Sequence, residues 1–103
     1  MKLYHATQID NKDNILLCSL VPGMHSNFDK WIKQEGIYGF AELKNAIGFA
    51  YDQSWNHGVI VFSFESNNII LDPEYDDPDY GIAYFVPTEN SITDFKIEYE
   101  IEY

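Results

Sequence analysis

The sequence contains no arginine. Its six cationic side chains are all lysines, set against seventeen Asp and Glu, for a formal net charge of -11. A field of that sign repels nucleic acid, so no direct nucleic-acid binding is expected, and it attracts basic surfaces. A bidentate guanidinium grip on a pyrophosphate is also excluded. Cys18 is the one cysteine. It rules out an internal disulfide and fits a reducing location, and with no neighbouring base in sequence it reads as a small buried hydrophobe. No apolar run is long enough to span a bilayer, and Met1-Lys2-Leu3-Tyr4-His5 offers no apolar h-region. No membrane association and a cytoplasmic location are therefore expected. No repeat or linker divides the 103 residues, which read as a single domain, 1–103.

The chain is rich in aromatics, with eight Tyr, seven Phe and two Trp, enough to exclude low-complexity disorder. The charge is unevenly placed. Residues 1–45 hold five Lys and five acids, whereas residues 46–103 hold twelve acids against Lys96 alone. Asp72 to Tyr80 (DPEYDDPDY) concentrates five of those acids. Pro73 and Pro78 predict a loop there. Calcium needs several oxygen ligands, but the spacing is not that of an EF-hand, and no metal site is expected.

Local patterns predict the elements. Lys2 to His5 reads as a strand that Ala6-Thr7-Gln8 leaves. Asp10 is placed to cap a helix over Asn11 to Ser19, with Ile9 as a hydrophobic staple, and Val21-Pro22-Gly23 stops it. Phe28, Trp31 and Ile32 have helical spacing, and His25 reads as an exposed loop residue. Gly36 and Gly39 bracket a strand at Ile37 and Tyr38. After Phe40 the period changes: Leu43, Ala46, Ile47, Ala50 and Tyr51 fall on one face of a helix. Val59 to Phe64 reads as a central strand covered on both faces. A hairpin turn at Ser66-Asn67-Asn68 leads to a strand at Ile69 to Leu71, and Ile82 to Val86 forms another. In the last strand Phe95, Ile97, Tyr99, Ile101 and Tyr103 alternate with Lys96, Glu98, Glu100 and Glu102, which predicts one core face and one acidic face. The expected fold class is α+β: a small mixed or antiparallel split sheet of about six strands with two or three short helices.

Three ordered stretches, covering less than half of the chain, resemble the ADP-ribosyltransferase fold of the poly(ADP-ribose) polymerase type. Leu3-Tyr4-His5-Ala6-Thr7 is similar to the family's opening strand, where a histidine precedes a Gly/Ala-Ser/Thr pair. Gly36-Ile37-Tyr38-Gly39-Phe40-Ala41, with Ala46, Phe49 and Ala50, resembles the glycine-Ile/Val-tyrosine strand leading into an alanine-bearing helix. Ile82-Ala83-Tyr84-Phe85-Val86, with Ile92 and the last strand, resembles the closing strand pair. The resemblance implies NAD as substrate and an ADP-ribose-type ligand. It places a ribose contact on His5 and a nicotinamide stack on Tyr38. Thr7 adds a polar contact to the sugar, and Ala6, Gly36 and Ala41 complete the cofactor-binding set. The family's catalytic glutamate falls at Gly81, Ile82 or Ala83, none of which can replace it. Asp79 is the nearest candidate, with Glu74 as a second. Loss of such an electrostatic group removes several kcal/mol of transition-state stabilisation.

Two function classes follow. One is an ADP-ribosyltransferase-like domain that binds NAD or an ADP-ribose-type ligand and transfers ADP-ribose to a macromolecule. The other is a non-catalytic acidic interaction or inhibitor protein. It would dock Asp72 to Asp79 and Glu98, Glu100 and Glu102 on a basic protein partner, such as one with a nucleic-acid-binding groove.

Overall fold

The computed structural model describes residues 1–21, 23–24, 35–77, 81–88 and 90–103. His25, the helical spacing of Phe28, Trp31 and Ile32, and Asp79 lie outside these residues. The elements are β1 (Lys2–Gln8), a 3-10 turn (Ile9–Asn11), α1 (Lys12–Cys18), β2 (Gly23–Met24), β3 (Glu35–Phe40), α2 (Leu43–Asp52), β4 (Gly58–Glu65), β5 (Ile70–Asp77), β6 (Gly81–Pro87) and β7 (Phe95–Glu102). The domain is α+β. Among the described residues the strands make one seven-stranded sheet in the order β5-β6-β3-β1-β4-β7, with β2 pairing β3. Among the described residues every ladder is antiparallel. No helix of the described residues is long and apolar enough to cross a membrane.

The near-continuous apolar run of β4 puts it inside. Val59, Ile60, Val61 and Phe62 are fully buried, as a strand covered on both faces requires. On one face Leu3, Ile37, Ile60, Phe62, Phe64 and Val86 form a core with Ile9 and Leu20. That core is closed by a two-way backbone pairing of Leu20 with Ile92. On the other face Phe40, Ala46 and Val61 pack with Tyr4, Ala6, Leu43, Ile47, Phe49 and Tyr99. The helical period read from Leu43, Ala46, Ile47 and Ala50 thus marks the face of α2 that covers the sheet.

Four expectations are corrected. Thr7 and Gln8 continue β1, pairing with Ile60 and Val59. Asp10 makes no side-chain cap, because the chain enters α1 through the 3-10 turn and the Asp10 carboxylate instead meets His57 Nδ1 at 2.9–3.0 Å. Cys18 is exposed rather than buried, since at the end of the short α1 it lines an open pocket. The stretch from Asp72 to Asp77 is strand, not loop. β5 is an outer strand paired on one side, and its ladder shifts between Leu71 and Asp76, so Pro73 sits where no regular ladder donor is needed.

β7 also departs from its pattern. Val61 pairs with Tyr99 and the adjacent Phe62 pairs with Ile97, so Glu98 is an extra residue in the ladder. The bulge divides the alternating apolar stripe between the two faces. Phe95 packs edge-on against Phe62, whereas Tyr99 joins the α2 side. Glu98 folds onto the sheet, where it accepts a 2.6 Å bond from the buried Ser63 hydroxyl and pairs with Lys2 at 3.1 Å. Glu100 pairs with Lys12 at 2.7 Å. Two of the three glutamates expected to be free in water are therefore held internally.

Gly36 lies under Phe85, and a Cβ there would sit 2.2 Å from the end of that ring and 2.4 Å from the Val86 carbonyl. Gly36→Ala is expected to lower stability by about 1–3 kcal/mol through overpacking, read from the urea midpoint. An unchanged midpoint would show that the Phe85 ring yields. A second expectation concerns the Tyr51 and Tyr99 hydroxyls, which are hydrogen-bonded to each other. That bond, followed by desolvation and the charge of Tyr99, pushes the Tyr51 phenol up from 10.0 to about 12. Because the folded value is raised, the associated stability is present below pH 10 and is lost as pH rises toward 12. Tyr99→Phe should bring the absorbance titration of Tyr51 back toward 10.

Candidate functional site

β1 and β3 touch over one paired position, Tyr4 opposite Phe40. Beyond it, towards Thr7, the ladder between them stops among the described residues, while β1 remains fully paired with β4. His5 stands at this parting. Its Nδ1 lies 2.9 Å from the Tyr38 carbonyl oxygen. A carbonyl only accepts, so Nδ1 carries the proton and donates. An imidazole thus bridges the strands where the backbone ladder ends. The half-buried ring is held in both position and tautomer.

A pocket of about 240 Å³ opens beside it, lined by His5, Thr7, Asn11, Asn14 and Cys18 together with the apolar Ile15 and Leu20. The lining follows from the strand-to-helix passage. Alternation along β1 puts Leu3, His5 and Thr7 on one face, and the 3-10 turn brings Asn11 back over them. Asn11 Nδ2 donates to Thr7 Oγ1 at 2.9 Å. That bond uses the hydroxyl oxygen as an acceptor and leaves Thr7 its own O–H and Asn11 its Oδ1 for a ligand. The described lining carries donors and acceptors in pairs and no carboxylate, which suits hydroxyl groups and amides.

The other residues implied by the resemblance are placed around this point. Tyr38 is half-buried, and its ring meets Phe85 edge-on, with centroids 5.9 Å apart. Ile37 and its partner Val86 lie in the core on the His5 side. Strand alternation therefore sends the Tyr38 ring to the α2 side. His5 and Tyr38 are joined through the Tyr38 carbonyl rather than by two rings in one pocket. Gly36 is buried beneath Phe85, Ala6 packs with Phe40 and Val61, and Ala41 is half-exposed just before α2. Register sets Asp77 of β5 opposite Gly81, one of the positions where a catalytic glutamate was sought. Asn11 and Asn14 were not singled out from sequence. The visible signal was their spacing after Thr7, which a helix beginning directly after a strand returns toward that strand.

No family model, curated protein or solved structure matches the chain.

His5→Ala removes the donor to the Tyr38 carbonyl across the parting. It is expected to lower stability by about 1–3 kcal/mol, read by chemical denaturation. A variant as stable as the parent would mean that the bond holds nothing in place.

Proposed function

We propose that this chain is an ADP-ribosyltransferase-like domain that binds NAD or an ADP-ribose-type ligand. The observation that carries the reading is the pocket between β1 and α1, where His5, Thr7 and Asn11 converge. A ribose presents vicinal hydroxyls, each both donor and acceptor. The Thr7 hydroxyl and the Asn11 amide oxygen match them in kind, with His5 beside them in the lining. The pocket is smaller than the roughly 300–1,000 Å³ of sites that enclose a drug-sized ligand, so it takes one riboside of a dinucleotide and leaves the remainder outside. Tyr38 takes part through its carbonyl, which orients His5, while its ring faces the α2 side and packs on Phe85.

Transfer of ADP-ribose needs a carboxylate to steady the oxocarbenium-like charge as nicotinamide leaves. Asp79 is proposed for that role, with Glu74 or Asp77 as the alternative. The first test is thermal unfolding with millimolar NAD or ADP-ribose. The parent should be protected, His5→Ala should lose the protection, and Thr7→Val should weaken it. An unprotected parent would end the reading. If protection is seen, labelled NAD with Asp79→Asn and Asp77→Asn separates a transferase from a binding domain.

A further inference from the structure

β7 ends the sheet. Among the described residues only β4 pairs with it. The Tyr103 amide donates to the His57 carbonyl at 3.0 Å. In an antiparallel ladder the hydrogen-bonded pairs alternate, so Ile101 and Tyr99 also bond inward to Val59 and Val61. The N–H and C=O groups of Glu100 and Glu102 therefore face away from β4. The bulge at Glu98 spoils the regular edge at one end, but the stretch from Tyr99 to Tyr103 is in register. Beside it lie exposed apolar groups: Ile101 at 40%, Tyr103 at 65% and Tyr51 at 43%. A flat open edge with apolar flanks is a template for strand addition.

Charge decides what can be added. The Lys12 ammonium bonds Glu100, and its proton is held more tightly by that bond and by the charges of Glu100, Asp13 and Glu102 together. One cation thus faces three carboxylates, and the edge keeps an excess of negative charge. A second copy fits poorly. Any antiparallel register that uses the outward groups of both edges brings Glu100 or Glu102 against a glutamate of the copy, and like charges directly opposite are destabilising.

We propose that the open edge of β7 from Tyr99 to Tyr103 receives an extended segment of a different, basic protein, which adds as a strand with lysines or arginines opposite Glu100 and Glu102. Backbone bonds give the affinity, and the alternating cations give the selection against other strands and against self-pairing. This surface is separate from the pocket beside His5 and stands whether or not that pocket holds a nucleotide.

The test uses the whole chain and two short synthetic peptides of alternating lysine and valine. One is unmodified. The other is N-methylated on alternate amides, so that it keeps the charge but cannot join a ladder. The unmodified peptide should bind at least about tenfold more tightly, a difference of about 1.4 kcal/mol, and should slow amide exchange at Glu100 and Glu102. Glu102→Gln should weaken binding in low salt and less so in high salt. Glu102→Pro should abolish it, because proline removes an outward donor while the inward bonds of Ile101 and Tyr103 remain. Sedimentation with no peptide present should give a monomer. Equal binding of the two peptides, no binding of either, unchanged binding to Glu102→Pro, or a dimer abolished by that variant would each overturn the proposal.

Discussion

The structure depends on how little joins its two halves. β5, β6 and β3 form one group and β1, β4 and β7 another, and the ladder between β1 and β3 consists of Tyr4 opposite Phe40. Past that pair, the hydrogen bond from His5 Nδ1 to the Tyr38 carbonyl supplies a cross-strand contact. An imidazole spans more distance than an amide, so the strands can separate while the sheet stays connected. The pocket lies beside this histidine, between β1 and α1. Gly39 serves the same junction: a Cβ there would stand 2.6 Å from the Leu3 Cβ, so a side chain would force β1 and β3 apart at the point where they meet.

Negative charge is distributed with similar economy. Glu98, Glu100 and Asp10 each have a partner in Lys2, Lys12 and His57, and each pair ties the edge or a turn to another element. Glu98 gains most. The Ser63 hydroxyl and then the Lys2 ammonium hold its carboxyl below the usual value. Exposed pairs of this kind contribute little energy singly, but they fix where the edge strand bends. The carboxylate shared by Ser63 and Lys2 occupies the residue that the ladder skips.

Much of the fold was legible because its signals are local. The buried run from Val59 to Phe62 declared a central strand, and Leu43, Ala46, Ile47 and Ala50 declared the covering face of α2. What escaped depends on partners distant in sequence. Nothing near Asp10 signals His57. Nothing within Phe95 to Tyr103 signals that Glu98 will be skipped, because strict alternation is also what an unbroken strand would show. Pro73 argued for a loop, yet an outer strand with a register shift accommodates it. At the candidate site, His5 and Thr7 were visible from strand position. Asn11 and Asn14 were not, since their approach depends on the 3-10 turn that precedes α1. Tyr38 was visible as a residue, but its ring and its carbonyl face different surroundings, and strand alternation in place assigns them.

The central place of β1 bears on how the chain reaches this state. Leu3 pairs with Phe64 and Tyr4 with Phe40, so β1 lies between two strands that follow it later in the chain. Such pairing gives the fold a high contact order, and long loops must close before any contact in the centre repays them. Without β4, β1 has only the Tyr4–Phe40 pair of its ladder. Assembly of the sheet is therefore a slow event, and until its partners have closed on it β1 is an apolar strand with an exposed backbone that a chaperone can hold.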